Sequence, residues 1–384
     1  MASHTSDVLI IGGGIIGCST AYYCARAGLS VTLLEAETIA AGASGAAAGM
    51  LASQVEAHQP DELFEFSLAA RAVHAQLAET LRSEIGVDVE YRVPGVLRLA
   101  LEDREAVDLR GRQKWQEARG LRAEWLDAPQ VAAAEPLLRG AASWRLAGAL
   151  HLPDEAQVRS PRLVRALAEA ASKRGARVLE GTPVTEVVAT GDRIEQVNTA
   201  VGSFAAGTVV LSAGAWSGRL AYMLGLYLPV QPIKGQIVAL DGLLARPQHI
   251  LWSGGCYLTP KSDGQIIVGS TEEHSGFDRR PTLSALLQLA TGATDISARF
   301  GSLPVAQMWA GLRPALPDRY PAMGRAPGFR NLIVATGHFR NGVLLGPLTG
   351  QIMTEILCDQ SPSWDLTPFQ LERLVPPGHA AQHR

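Results

Sequence analysis

Cysteine is scarce in this sequence. The 384 residues contain only Cys18, Cys24, Cys256 and Cys358. Four scattered cysteines are too few for a disulfide framework. The sequence also contains no C-x-x-C pair, so a structural zinc site is not expected. We therefore expect no metal and a reducing, cytoplasmic location.

An excess of charge of either sign is also missing. Lys and Arg number 34 against 37 Asp and Glu, which gives a net charge of −3. This balance offers no electrostatic basis for nucleic-acid binding, so we expect no nucleic-acid partner. Because 47% of the residues are hydrophobic, the composition also excludes a disordered chain and favours a globular protein with a large core.

The sequence lacks a continuous apolar run of membrane-spanning type. The most apolar stretch, residues 8–24, is interrupted by four glycines and bracketed by Asp7 and Arg26. A spanning helix needs about 20 predominantly apolar residues, and a signal peptide carries positive charge before its apolar part. We expect a soluble protein without an integral membrane segment.

Glycine, in contrast, is abundant, and the first 35 residues show why. Residues 8–11 (VLII) are typical of a strand buried in a parallel sheet, and residues 15–27 predict a helix that ends before Gly28. Between them lies GGGIIG, a G-x-G-x-x-G motif at residues 12–17. A second apolar strand at 31–34 follows, so that strand, glycine turn, helix and strand agree. Together they predict a Rossmann-like dinucleotide site.

Each residue type in this motif has a physical role. Gly12 permits the tight turn, Gly14 lets the backbone approach a diphosphate, and Gly17 lets the helix pack closely on the strand. The diphosphate would lie at the positive N-terminus of the helix. Glu35, 18 residues after Gly17, is placed to accept hydrogen bonds from the adenosine ribose.

Three later segments favour a flavin over a nicotinamide. Residues 40–50 (AAGASGAAAGM) offer backbone N–H groups with few side chains in the way, although a tightly packed small-residue helix is the alternative. Residues 209–216 (VVLSAGAW) and 331–338 (NLIVATGH) are apolar strands that run into small residues. A helix over 344–358 would direct its N-terminus at a flavin, and nicotinamide enzymes need no such returning element.

These residues together resemble the glycine oxidase branch of the D-amino-acid oxidase-like flavoproteins, which includes the amine oxidase of thiamine biosynthesis. The resemblance covers about residues 7–357. It rests on five stretches: GGGIIG (12–17), GASGAAAGML (42–51), PIKGQ (232–236), WAGLRP (309–314) and GHFRNGVLLGP (337–347).

The resemblance implies an α/β fold in which a Rossmann-like FAD-binding domain carries an inserted antiparallel-sheet substrate domain. Strands near 177–188 and 194–199 predict a β-meander that returns to the first sheet, and a Ser-Asp-Gly turn at 262–264 predicts a hairpin in the second. The expected boundaries are 1–85, 150–228 and 305–365 for the FAD-binding domain, 86–149 and 229–304 for the substrate domain, and 366–384 for a C-terminal tail.

The cofactor that the resemblance implies is FAD. Residues 308–319 lack the cysteine that tethers the flavin in the sarcosine oxidase branch, so we expect non-covalent binding. The residues expected around the cofactor are Gly12, Gly14, Ile15, Ile16, Gly17, Glu35, Ala36, Ser44, Gly45, Ala47, Ala48, Gly49, Met50, Val184, Ala213, Gly214, Trp216, His338, Arg340, Asn341, Gly342, Val343 and Leu344.

Three residues are candidates for catalysis. Arg313 has apolar neighbours and needs an anion, which is either a substrate carboxylate or a structural partner such as Asp318. In similar enzymes the arginine of this motif binds the carboxylate, a tyrosine matched here by Tyr257 donates to it, and the backbone carbonyl matched by Arg340 accepts from the amine. The alternatives are a core tyrosine and a pure flavin contact. His338 is an acid/base candidate, although this position more often serves the backbone around the flavin.

Two departures from the family pattern leave substrate size open. Gly255 replaces a bulkier His of some relatives, and Glu272 replaces a Met that lines the pocket of a well-known type. Either change would make the pocket more open or more polar.

The reaction that the resemblance implies is oxidation of glycine, sarcosine, an N-substituted glycine or a small D-amino acid. The Cα hydrogen leaves as hydride, the imine hydrolyses, and O2 is reduced to hydrogen peroxide. The partners expected are a small amino acid, O2 and, as in similar enzymes, further copies of the chain. Two alternatives stay open: a D-amino-acid dehydrogenase that reduces a quinone, and an FAD-binding protein without turnover.

Overall fold

The computed structural model describes residues 4–139, 146–243 and 245–375. Small parts of the predicted substrate domain and the end of the predicted tail lie outside these ranges. The helices described are α1 (Ile15–Arg26), α2 (Ala43–Ala46), α3 (Glu62–Ile85), α4 (Asp103–Glu117), α5 (Ala128–Ala134), α6 (Ser160–Lys173), α7 (Ser217–Met223), α8 (Leu283–Ile296) and α9 (Gly342–Leu357).

The strands described are β1 (His4–Ile11), β2 (Val31–Leu34), β3 (Met50–Leu51), β4 (Val96–Ala100), β5 (Glu124–Leu126), β6 (Gly148–Leu152), β7 (Ala156–Gln157), β8 (Arg177–Leu179), β9 (Val184–Thr190), β10 (Arg193–Thr199), β11 (Gly202–Leu211), β12 (Gln231–Asp241), β13 (Ile250–Ser253), β14 (Cys256–Pro260), β15 (Gln265–Gly269), β16 (Val305–Ala315), β17 (Ala322–Arg325) and β18 (Leu332–Thr336).

The first sheet has the order β17-β18-β11-β1-β2-β8, with the meander β9-β10-β11 beside it. β1 pairs in parallel with β2 and β11, and β18 and β8 extend the parallel part on either side. α1, α3, α6 and α9 cover one face, and apolar residues of the meander and α7 cover the other. The predicted Rossmann-like α/β fold is therefore confirmed.

One strand prediction in this sheet was wrong. The stretch 177–188 is not continuous: β8 pairs with β2, whereas β9 begins at Val184 and joins the meander. Gly181 lies between them with φ +61°, and its N–H donates to the Glu37 carbonyl at 2.7 Å. The chain turns there because a left-handed residue is followed closely by Pro183, which has no N–H to donate.

The second sheet has the order β16-β12-β15-β14-β13-β4-β6-β5 and is antiparallel except between β13 and β4. The predicted hairpin is present as β14 and β15, joined by the turn at 262–264. β6 and β16 belong to this sheet, although the predicted boundaries at 150 and 305 divide β6 and assign β16 to the FAD-binding domain. The domain limits remain a prediction with these two strands as exceptions.

The face of the second sheet that is turned toward the first sheet carries Ile237, Trp252 and Tyr257, which pack against Ala48 and Ala52. The functional cleft lies at this contact. Among the described residues, no helix combines the length and apolarity that crossing a bilayer requires, and no cluster of three His, Cys, Asp or Glu side chains could hold a metal ion.

Candidate active site

A cavity of about 450 Å³ lies between the two sheets. Its walls come from the turns that follow β1, β2, β11 and β18, from the small-residue segment 41–50, and from the inner faces of β12 and β16. The carboxyl ends of parallel strands meet here, which is where open α/β sheets bind ligands.

The glycine turn after β1 forms one end of the cavity. Gly12 has φ +115°, and a Cβ there would lie 2.5 Å from the Ser212 carbonyl oxygen. Gly14, in contrast, faces open space, and its Cβ would meet only Ser44 Oγ at 3.2 Å. A side chain at Gly14 would therefore project into the cavity, as the predicted approach to a diphosphate requires.

The N-terminus of α1 has unused hydrogen-bond donors. Ser44 Oγ accepts from the Ile15 N–H at 2.9 Å. Within the described part of the chain, no group accepts from the N–H of Ile16 or Gly17. Free donors at a positive helix end suit a diphosphate.

Glu35 lies at the end of β2 and lines the cavity. Its carboxylate accepts from the N–H groups of Gly13 at 2.6 Å and Glu37 at 2.8 Å. These bonds fix the side chain beside the glycine turn. Residues 182–184, which follow β8, form the adjacent wall. This end of the cavity fits an adenosine.

The other end is formed by the loop before α9. In the described ranges, the N–H groups of Gly342, Val343 and Leu344 have no acceptor. The helix therefore presents a second positive N-terminus, about where the sequence predicts the flavin ring. The small-residue wall and the N–H donors of the helix N-termini at the two ends together fit a flavin adenine dinucleotide.

His338 is buried beside this helix end. Burial lowers the pKa of its imidazole to about 3, so the ring is neutral near pH 7. Its Nε2 lies 3.2 Å from Thr349 Oγ1, and the Thr349 hydroxyl in turn donates to Met323 Sδ at 3.6 Å. Its Nδ1 has no partner among the described residues.

Arg313 reaches the cavity from β16. Its Nη1 donates to the Thr271 carbonyl at 2.9 Å and its Nη2 donates to Ser270 Oγ at 2.6 Å. Gly235 on the paired strand β12 makes room, because a Cβ there would overlap the guanidinium. Burial lowers the pKa of Arg313, and no carboxylate in the described part of the chain lies within salt-bridge distance of it. The suggested structural partner Asp318 instead accepts from Arg373 at 2.8 Å.

Tyr257 lies next to Arg313 and is only 5% exposed. Burial raises the pKa of its hydroxyl, so the group remains a donor at neutral pH. The hydroxyl shares a hydrogen bond with Ser270, the residue that also binds Arg313. A Cβ at Gly269 would overlap the Tyr257 ring. The site thus holds a cation and a phenol beside one serine.

Arg340 lies in the loop between β18 and α9. Its Nε is 3.6 Å from Glu56 Oε2, and its Nη1 is 3.9 Å from Glu272 Oε2. Nothing in the described ranges donates to its backbone carbonyl. Glu272 also accepts from Arg319 at 2.8 Å, and neither Glu272 nor Gly255 lines the cavity.

β16 connects the two halves of the site. Trp309, Gly311 and Arg313 are every second residue of the strand and therefore lie on the same face. Trp309 Nε1 donates to the Ala46 carbonyl at 3.0 Å, and a Cβ at Gly311 would lie 2.5 Å from Ala46 Cβ. The strand therefore lies directly on the small-residue segment.

Most residues predicted for the site line this one cavity, including Tyr257, Arg313 and Arg340. Three do not: Gly17, Gly45 and Leu344. A Cβ at Gly17 would overlap the Gly12 carbonyl, and one at Gly45 would overlap the Ala40 carbonyl. Those two glycines permit close backbone packing, while the roles assigned to all the site residues remain predictions.

Other lining residues were not predicted, among them Glu37, Glu56, Arg219, Ser270 and Arg279. Glu37 follows the ribose acid by two residues, which is a weak local signal. The others carry no motif, because only the tertiary fold brings them to the cavity.

A cavity with a Rossmann-type glycine turn at one end and a second helix N-terminus at the other defines a flavin-dependent oxidoreductase. The chain belongs to the FAD dependent oxidoreductase (DAO) family, whose model matches residues 7–356. The resemblance found in the sequence and the prediction of FAD are thereby confirmed.

The relatives point to one branch of this family. The chain is 36% identical over 374 residues to a glycine oxidase of Geobacillus kaustophilus (strain HTA426), covering 97% of this chain and 98% of that protein. It is 33% identical to a glycine oxidase of Bacillus licheniformis, covering 91% and 92%. The crystal structure of glycine oxidase from G. kaustophilus matches with a TM-score of 0.93 at 35% identity, covering 97% of this chain and 100% of that one. The chain is thus an FAD-dependent enzyme of the amino-acid oxidase type.

Proposed function

We propose that this enzyme catalyses the oxidative deamination of glycine or a small related amine. Sarcosine, another N-substituted glycine and a small D-amino acid are the related candidates. The products are a 2-oxo acid, ammonia or an amine, and hydrogen peroxide. The glycine oxidases among the relatives support this choice of substrate class.

The observation that carries the proposal is the cation at Arg313, which forms no ion pair within the part of the chain that the structure describes. A guanidinium that is partly withdrawn from water, without a carboxylate within 4 Å among the described residues, favours an anionic ligand. Its planar fork matches the two oxygens of a carboxylate. Tyr257 adds a neutral donor beside it. An α-amino acid supplies the carboxylate that this pair can bind.

The residues then divide the work of positioning. Arg313 and Tyr257 hold the carboxylate, and the backbone carbonyl of Arg340, to which no described residue donates, accepts from the substrate amine. Two anchors on either side of Cα fix which hydrogen faces the cofactor, which lowers the entropic part of the barrier. When bound, FAD accepts the hydrogen and electron pair that leave Cα.

No general base is needed among the side chains in this scheme. The amine binds in its neutral form, and its lone pair assists departure of the Cα hydrogen. Water then adds to the released imine and yields the 2-oxo acid and ammonia. Molecular oxygen takes up the two electrons with two protons and becomes hydrogen peroxide, so that the overall reaction balances.

A peroxide-coupled assay with a substrate panel tests the proposal. The panel contains glycine, sarcosine, N-ethylglycine, D-alanine and D-proline, with L-alanine as the stereochemical control. We expect turnover with oxygen consumption for one or more of the first five compounds. Reduction of a quinone without peroxide would instead indicate a dehydrogenase. Failure of every amine to bleach the flavin anaerobically would indicate a protein that binds FAD without turnover.

We further propose that FAD is held without a covalent bond. The residues that line the cavity include no cysteine in the described ranges. Acid precipitation of the yellow protein should leave intact FAD in the supernatant, which chromatography against an FAD standard identifies. Flavin that stays with the precipitate would contradict non-covalent binding.

A further inference from the structure

The loop between β15 and α8 extends from the second sheet, and both of its ends are fixed by one side chain. Gln236, fully buried in β12, donates from Nε2 to Glu273 Oε1 at 2.7 Å and to Thr282 Oγ1 at 3.1 Å. Its Oε1 accepts from the Thr282 N–H at 2.8 Å. Lys234 and Glu273 also exchange two backbone hydrogen bonds of 2.9 Å. We call the intervening residues, 274–281, the strap.

The strap contacts the first sheet's side of the cleft through an aromatic residue. The Phe277 ring centroid lies 5.6 Å from that of Trp216. On the same ring, the Arg219 guanidinium carbon lies 3.8 Å from the centroid. Phe277 is thus in contact with an indole and a cation that belong to the segment after β11. Both kinds of contact are attractive and restrict the position of the strap.

A second contact is ionic. Arg279 donates to the carboxylate of Glu37 through two nitrogens, at 2.8 Å to Oε1 and 3.2 Å to Oε2. An exposed ion pair contributes most to stability when its geometry is bidentate, as it is here. Glu37 lies two residues after Glu35, so the strap is anchored beside the predicted ribose acid.

The strap reaches the wall of the cavity through Arg279. Glu37, Trp216, Arg219 and Arg279 all line the same cavity as the glycine turn. Glu37 belongs to the end formed by Glu35 and residues 182–184, where an adenosine fits, and Arg279 is bonded to Glu37 there. The Trp216 ring centroid lies 6.0 Å from the Arg279 guanidinium carbon. The carboxylate anchor at Arg313 belongs to the inner face of the second sheet instead.

We propose that the strap is a retaining element for FAD, closed over the adenosine half of the cofactor by the Arg279–Glu37 pair and by Phe277. Since the adenosine must pass these contacts to leave, the strap slows cofactor release. This role does not depend on which amine the enzyme oxidises.

The test measures the rate at which FAD leaves the holoenzyme, followed by the rise of flavin fluorescence after dilution. Arg279→Gln should release FAD up to about fivefold faster, the upper range for an exposed ion pair. Glu37→Gln should have the same effect, and the double variant should be no faster than either single variant. Phe277→Ala should release FAD about tenfold faster, because the aromatic and cation–π contacts are both lost.

Arg280→Gln is the matched control. Its side chain is 87% exposed and pairs with Asp278 of the same loop, so its removal should leave the release rate unchanged. High salt should accelerate release from the wild-type enzyme toward the rate of Arg279→Gln and should change that variant little.

FMN lacks the adenosine half of FAD, which is the part that the strap would retain. Binding of FMN therefore distinguishes a retaining role of the strap from a general structural role. The apoprotein of Arg279→Gln should bind FMN as tightly as the wild type does. Equal loss of affinity for FMN and FAD, or an unchanged FAD release rate with a lowered Tm, would overturn the proposal and make the strap a structural link between the two sheets.

Discussion

Replacing Arg313 with lysine tests the centre of the proposed site. The substitution keeps one positive charge but removes the planar fork. In the structure, two guanidinium nitrogens already donate to Ser270 Oγ and the Thr271 carbonyl. The remaining N–H groups are available to a carboxylate. A lysine ammonium has only three donors and cannot make both sets of bonds.

The magnitude follows from the bonds that are lost. Arginine can make two parallel charge-assisted bonds to a carboxylate, and lysine retains one of them. A hydrogen bond to a charged group contributes roughly 1.5–3 kcal/mol. Because about 1.4 kcal/mol corresponds to a factor of ten, the affinity for an amino-acid substrate should fall by about ten- to hundredfold. Turnover should fall as well, since the anchor also orients Cα.

The assay compares two substrates on the same enzyme. Anaerobic titration of the flavin absorbance gives the affinity for glycine, and peroxide formation gives kcat. A small amine without a carboxylate serves as the control, because it does not use the anchor at Arg313. Its kinetics and the flavin spectrum should be nearly unchanged. Equal losses for both compounds, or no loss for glycine, would refute the assignment of Arg313.

Three further predictions concern the cofactor, the anchor and pH. Gly14→Val should abolish FAD binding with the fold retained, because the branched side chain enters the cavity; a variant that purifies with stoichiometric flavin would contradict this. Gly235→Ala should raise KM for the amino acid about tenfold, because the new Cβ displaces the Arg313 guanidinium, while the FAD content stays full. Gly255→Ala is the control, since a Cβ at that position has no atom within 4 Å. Burial lowers the pKa of His338 to about 3 in the folded state, against about 6.5 in the unfolded state. The neutral imidazole therefore contributes fully to the free energy of unfolding above pH 6.5, and this contribution falls by about 1.4 kcal/mol for each pH unit below that value. Urea unfolding of His338→Gln should therefore show about 2 kcal/mol less loss between pH 7 and pH 5 than the wild type, and identical pH dependence would refute the buried neutral imidazole.

Local patterns in the sequence were sufficient for the framework of the fold. The glycine turn, its flanking strands and the hairpin of β14 and β15 each depend on residues close together in the chain, so their pattern is visible without the structure. The break at Gly181 was missed because the apolar residues on both sides were read as one strand, although Gly181 and Pro183 between them are a local turn signal. The structure separates the two strands, since β8 pairs with β2 and β9 pairs with β10.

The site was harder to predict than the fold. Arg313 was found, but its partners Ser270 and Thr271 lie more than 40 positions away and carry no motif. The Arg279–Glu37 pair joins residues separated by 242 positions. Contacts of this kind depend on how the two sheets are packed, which single-chain periodicity does not encode. For the same reason, the predicted boundary at 305 did not anticipate that β16 pairs with β12 in the second sheet.

The position of β16 sets a fixed length in the site. Trp309 is hydrogen-bonded to the segment that cradles the cofactor, and Arg313 stands four residues further along the same face. Gly311 lies against Ala46 of that segment and is two residues from Arg313, so at about 3.3 Å per residue a single strand spaces the proposed substrate anchor from the nearest part of the small-residue segment by about 7 Å. Each amino acid that binds through its carboxylate places Cα at the same depth, whatever it carries elsewhere. Changes in the surrounding walls can then alter which amines are accepted while the geometry of the reacting carbon stays constant.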